Sequence, residues 1–329
     1  MWRGLAAIGL ACLAAGCSRH DDRSPLTESR TPDQLAERFY PPEGWAWGFL
    51  RIGDGPVQRY GVAAPPGVAS ARILVLPDYG QSAEDWFETI RDLNHRGFTV
   101  WVLEGIGQGG SERLTATRDL GHVEDFDTDA EAARAMIEAV IRPSPPRPLI
   151  LLGEGVGAAL AVRVATESGE VAGVILSQPA VDAGPPPAAD PFKTLRWLGL
   201  GRRRAIDRLA WPAGAKGAGR WADPWREAAR GKWRRLNPDL RIGGPSVDWL
   251  TAESENLRVA HDLSPTLGVP VLVTATTLKV RCEGAARCRA VGFAGHGVSP
   301  TMAPDGVRGA WLREVAAFTR ARIAETRAR

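Results

Sequence analysis

The chain is poor in cysteine and tyrosine, with four and three among 329 residues, and has no apolar run long enough to cross a bilayer as a helix. A cysteine-built metal module and a multi-spanning membrane protein are thereby excluded. Neither sign of charge prevails: 41 Lys and Arg stand against 38 Asp and Glu, and a net charge of +3 is too mild for a nucleic-acid footprint. A hydrophobic share of 44% fits one large folded domain or two small ones, and twelve tryptophans contrast with the three tyrosines.

The one short apolar run, Leu5–Ala15, follows a positive start at Arg3 and has the length of a signal-peptide core. It leads into Leu13-Ala14-Ala15-Gly16-Cys17, which resembles a bacterial lipobox, in which the cysteine becomes the acylated N-terminus. The resemblance implies a signal peptide over 1–16, a lipidated Cys17, and an exported protein held in the envelope. With Ser18 and not Asp after the cysteine, the expected place is the outer membrane facing the periplasm. An ordinary cleaved signal with an incidental cysteine is the alternative. Residues 18–38 are polar and carry almost no large apolar residue, so 17–38 is expected to be the lipidated cysteine and a tether. Cys282 and Cys288, close in sequence and in an oxidising compartment, are expected to form a small disulfide loop, two free thiols being the alternative. His296 is the only further ligand type nearby, so no zinc site and no other cofactor is expected.

From Trp45 onward, strands and helices alternate. Trp45–Ile52 and Val57–Ala63 read as an antiparallel pair. Arg72–Leu76, Phe98–Leu103, Leu149–Leu152, Val171–Leu176, Val271–Thr274 and Arg289–Phe293 read as further strands. Helical spacing covers 83–95, 127–141, 156–166 and 307–324. This predicts an α/β fold, a mostly parallel sheet with helices on both faces, over 39–181 and 256–329. Residues 182–255 break the alternation and read as an inserted cap. They carry Trp197, Trp211, Trp221, Trp225 and Trp233, and between 190 and 241 hold fourteen Lys and Arg against five Asp and Glu. A solvated cap whose tryptophans pack on the body is one reading; a face that meets anionic lipid or a polyanionic partner is the other.

Leu149–Leu152, the turn Gly153-Glu154-Gly155-Val156-Gly157 and the helix after it form a strand, a tight small-residue turn and a helix. That geometry presents the serine of G-x-S-x-G, here with glycine at the tip. Gly153, Gly155 and Ala158 also satisfy the dinucleotide fingerprint G-x-G-x-x-G/A. The fingerprint wants an acidic residue at the end of the next strand, whereas this strand ends in Ser177-Gln178, and the motif arrives after several strands.

Collinear short matches decide between the two. Leu74–Gly80, Asp85-Trp86-Phe87, Leu93–Phe98, Gly107–Ser111, Gly121–Phe126, Gly243–Ser246 with Trp249-Leu250, Val269–Val273 and Gly295-His296 follow one another. In that order they resemble the monoacylglycerol lipase and lysophospholipase branch of the α/β-hydrolases, often filed as serine aminopeptidase-like. The resemblance places the family's nucleophile at Gly155, its acid near Leu278 and its histidine at His296. It places the oxyanion site at the backbone amide of Val156 and the Asp78-Tyr79 loop. No carboxylate lies between Ala275 and Cys282, and Glu283 is the first after that strand. Asp78 stands where the family usually has glycine, and Glu154 where histidine is common, so two carboxylates face a site where negative charge must develop. The expectation is a lipid-anchored hydrolase fold without hydrolase chemistry, acting by binding an acyl-containing ligand or an envelope partner. The alternatives are an active esterase or lipase with a non-standard site, and an envelope scaffold. A water activated by His296 with Glu154 or Asp78 is a further, weaker route.

Overall fold

The computed structural model describes residues 24–179, 191–205, 221–277, 282 and 286–328. Apolar runs of five to seven residues form the sheet: β1 (Ala46–Leu50), β2 (Gln58–Ala63), β3 (Ala71–Leu76), β4 (Phe98–Leu103), β5 (Leu149–Glu154), β6 (Val171–Ser177), β7 (Val271–Ala275) and β8 (Cys288–Gly292). Their order is β1-β2-β4-β3-β5-β6-β7-β8. β2 pairs antiparallel with β1 and β4, and the other pairs are parallel. β5 lies near the middle and is buried at every position, as a strand covered on both faces must be.

Helices cover both faces. α1 (Phe87–Asn94) and α7 (Asp305–Ala328) pack with Trp86 and Trp311 against one face, where Ile73, Val75, Val100, Val102, Ile150 and Leu152 point. α2 (Asp127–Met136) and α3 (Val156–Glu167) cover the other, around Leu74, Leu76, Leu149, Leu151 and Val273. Among the described residues no helix is long and apolar enough to cross a membrane. The cap region contributes α4 (Pro191–Leu195), α5 (Pro224–Leu236) and α6 (Val247–Leu263). The expected boundary at 255 falls inside α6, which runs on until Ala260 joins the core beside α3.

The polar stretch expected to be a tether is docked on the body wherever it is described. Leu26 N–H donates to Gly110 O at 2.8 Å, Arg30 N–H to Asn237 Oδ1 at 2.8 Å, and Lys232 to Gln34 O. Pro32 and Phe39 are buried, and Ser29 donates to Glu84 beneath them. Polar composition suggested a free segment, but backbone hydrogen bonds to α5 and to the 107–112 loop hold it. Residues 17–23 lie outside the described residues.

Beneath this strap, Arg59 of β2 is fully buried between Glu84 at 3.0 Å and Glu104 at 2.7 Å, with its guanidinium 3.9 Å above the Trp47 ring. Two carboxylates raise an already high guanidinium pKa against the burial that would lower it. Arg59→Ala would leave both acids buried without a cation, so we expect a loss of about 3–5 kcal/mol in denaturant unfolding.

Candidate functional site

β5 ends in the turn that positions the site. Cβ atoms at Gly153 and Gly157 would overlap the backbone of Gly157 and of Leu76, so β5 and α3 meet with no room for side chains. Gly155 sits at φ 53° and ψ −115°, outside the regions that other residues occupy comfortably. Its N–H donates to Ser177 O at 3.0 Å, and its carbonyl accepts from Ala158 N–H at 3.1 Å. The strained frame is therefore held by backbone bonds whatever stands at the tip. A Cβ at 155 would fall inside the carboxylate of Asp78.

That carboxylate occupies the oxyanion position. Asp78 Oδ1 accepts from the amide of Val156 at 3.0 Å and from the amide of Tyr79 at 2.7 Å. These are the two donors that an acyl-transfer enzyme of this fold points at a developing oxyanion. Asp78 thus places a carboxyl oxygen of the chain itself on both amides. Burial lifts its pKa above the ordinary value, and the two amides oppose the rise.

Gln81 joins Asp78 to Glu154. Its Oε1 accepts from Asp78 N–H at 3.1 Å and from Trp86 Nε1 at 3.0 Å, and its Nε2 donates to Glu154 Oε1 at 3.0 Å. Glu154 is 1% exposed, and among the described residues its Oε2 has no hydrogen-bond partner. Burial, with the neighbouring charge of Asp78, pushes it up to about 8. At neutral pH Glu154 therefore keeps its proton. Glu253 on α6, half-buried and within electrostatic reach of Asp78, is likewise pushed up to about 8 by the loss of solvent around its carboxyl. A cavity of about 20 Å³ between Asp78, Leu76, Phe126, Val156 and Leu160 has room for a water molecule.

His296 makes its resolved contact elsewhere, with the Trp221 ring. It has a positive φ of 53° and is exposed, and its ring stacks on Trp221 of the cap region at 3.8 Å and 13°. Among the described residues it makes no hydrogen bond to a carboxylate. Leu278 and Glu283 lie outside the described residues. Cys282 and Cys288 are joined by a disulfide. The structure therefore brings Gly155, Val156, Asp78 and Tyr79 together and sets His296 beneath a tryptophan.

Above Tyr79 lies a group absent from the sequence reading. The Tyr79 phenol donates to Gly243 O at 2.9 Å and its ring meets Trp249 edge-on at 4.5 Å. Ser246, at the N-cap of α6, accepts from Trp249 N–H at 3.0 Å and lies 2.8 Å from His122 Nδ1. His122 is 1% exposed and Asp248, two residues along, is 6% exposed. Ser246 is itself fully buried, so this serine–histidine pair is closed to a substrate. Its members stand 124 positions apart in sequence, and the only signal was that each falls in a family-like match.

The sheet order, the elbow and the paired amides define an α/β-hydrolase scaffold. Residues 67–286 match the model of the serine aminopeptidase (S33) family, and the chain belongs to that family. Lysophospholipase L2 of Escherichia coli K12 is 27% identical over 221 residues, covering 59% of this chain and 61% of that one. Human monoglyceride lipase is 30% identical over 132 residues, 40% of this chain and 42% of its own. The chain thus spans less than two thirds of the length of these curated relatives. Among solved structures, a thermostable carboxyl esterase from Bacillus coagulans, in complex with glycerol, superposes with a TM-score of 0.63 at 14% identity, covering 85% of this chain and 99% of that one. A soluble monoglyceride lipase variant from Saccharomyces cerevisiae, in complex with a substrate analogue, gives 0.60 at 15%, covering 90% and 99%. At that identity the likeness shows the fold.

Proposed function

We propose that this chain is a lipid-anchored member of its family that binds and does not hydrolyse. The observation that carries the reading is the Asp78 carboxylate on the amides of Val156 and Tyr79, in the space a serine at 155 would need. Two effects combine. Loss of the nucleophile costs about 10⁶ in kcat in a serine hydrolase. An ester oxygen must also displace a carboxyl oxygen that is tethered to the chain and holds two amide bonds, each worth roughly 0.5–3 kcal/mol. The names of the relatives point to an acyl lipid as the ligand class, with an envelope partner as the other occupant. Cys17 is proposed to carry the lipid anchor and to place the chain at the outer membrane, facing the periplasm.

The test is kinetic and analytical. The full chain, purified in detergent, should turn over neither p-nitrophenyl esters nor monoacylglycerol nor lysophospholipid above a His296→Ala control. Extraction and mass spectrometry should recover an acyl lipid in a fixed ratio to protein. Turnover that His296→Ala abolishes would overturn the reading. A Cys17→Ala chain should leave the membrane fraction and fail to take up labelled palmitate.

A further inference from the structure

The group above Tyr79 has the composition of a metal site. One imidazole nitrogen of His122 and one carboxylate oxygen each of Glu124 and Asp248 lie within 4.8 Å of one another. A second observation points the same way: His122 Nε2 is buried and has no hydrogen-bond partner among the described residues. Nδ1 is engaged at 2.8 Å by Ser246 Oγ, which already accepts from the Trp249 amide. If Nδ1–H donates to the second lone pair of that hydroxyl, Nε2 carries a bare lone pair, the tautomer that metal-bound histidines adopt. An outer partner that fixes the ring and an inner nitrogen left unsatisfied are what an imidazole ligand needs, and a core histidine does not.

We propose that His122, Glu124 and Asp248 form a site for a divalent transition-metal ion of the zinc class. One nitrogen and two carboxylates suit zinc or manganese, whereas calcium and magnesium take all-oxygen sets. In the metal-free chain, arginines balance the acids: Arg196 lies 3.3 Å from Asp248 and Arg202 3.1 Å from Glu124. Their side chains are 46% and 66% exposed, and such solvated pairs contribute little, so a dication displaces them readily. The ligands come from the 121–124 loop and the first turn of α6, and the arginines from the cap segment at 196–204. Gly201 O in that segment also accepts from Asp248 N–H at 2.9 Å. An ion there clamps the loop beside Tyr79 to α6 and frees the arginines of the cap.

Zinc chloride titrated calorimetrically into the chelator-treated full chain should show one ion bound per chain at micromolar affinity or tighter, with a rise in thermal midpoint. Calcium and magnesium at millimolar concentration should not compete. Cobalt in place of zinc should give visible absorption that His122→Gln removes. His122→Gln and Asp248→Asn should each weaken zinc at least ten-fold, and His261→Gln and His296→Gln should leave it unchanged. Glu124 is exposed, so Glu124→Gln keeps the fold whatever happens to the buried pair, and it should weaken zinc several-fold. No saturable binding, or equal affinity in Glu124→Gln and in folded His122→Gln, would overturn the proposal.

Discussion

Placing a serine back at the tip of the turn is expected to harm the protein and restore nothing. Gly155→Ser meets two obstacles that share one origin. The backbone at φ 53° and ψ −115° costs a side-chain-bearing residue roughly 1–3 kcal/mol. The new Cβ also enters the Asp78 carboxylate, which is fixed by the amides of Val156 and Tyr79. Together these should lower unfolding stability by about 2–4 kcal/mol, within the upper range of single substitutions. Asp78→Gly removes the obstructing group and frees both amides. In Asp78→Gly/Gly155→Ser the serine should therefore cost less than it does alone. A double-mutant cycle read by denaturant unfolding should give a coupling of about 1–3 kcal/mol. Additive effects would show that Asp78 does not fill the site in solution. Of the two variants that carry the serine, only the double one has both amides free. Even there, His296 stacked on Trp221 at 3.8 Å has no hydrogen-bonded acid among the described residues, so esterase activity should remain far below that of an intact triad.

The coupling of positions 78 and 155 marks how far the sequence could be read. The eight strands were legible because buried strands and amphipathic helices differ in period. β4 matches the expected Phe98–Leu103 and the other strand ends differ by a residue or two. Gly153 and Gly157 were legible for a similar reason, since close approach of β5, α3 and β3 tolerates only glycine. The carboxylates at 78 and 154 could be counted as hostile to catalysis. What Asp78 does instead required coordinates. Its contact with Tyr79 N–H is local, of the kind short acidic side chains make with adjacent backbone, and is the one hint available. Its contact with Val156 spans 78 positions.

Other losses share a physical cause. The strap at 24–40 is held by backbone donors and acceptors, and every residue carries those, so composition alone suggested a tether. Arg59 sits on a strand where alternation would put charge in water, yet Glu84 and Glu104 from two other segments bury it. Trp221 over His296 joins residues from the cap region and the loop after β8. Each of these is a non-local pairing of polar or aromatic groups. Hydrophobic period reports which side of an element faces the core, and says nothing about such partners.

Buried acids also set the second large effect, the response of stability to pH. Glu154 and Glu253 are pushed up to about 8 from an ordinary 4.5, and Asp129 up to about 7 from 3.8, in each case first by burial. Asp78 moves in the same direction. The partners offset burial only in part: among the described residues Asp129 Oδ2 and Glu154 Oε2 have none. A folded pKa above the unfolded one means that the native chain holds more protons across the interval. The stability these groups contribute is fully present below about pH 4 and is lost as pH rises through 7 and 8. Glu255 and Asp305 are shifted down through Arg258 and Arg226, an opposite contribution lost on the acid side, but both are largely exposed and weigh less. Stability should therefore peak near pH 5 and fall toward pH 9, by on the order of 2 kcal/mol for each strongly buried acid once the shifts are discounted. Glu154→Gln isolates one of them. The amide keeps an oxygen for Gln81 Nε2 and cannot ionise beside Asp78, so the variant should gain stability above pH 8 and lose little at pH 5. Denaturant midpoints of both chains between pH 5 and 9 measure this. Parallel curves would mean that Glu154 ionises freely in the folded protein.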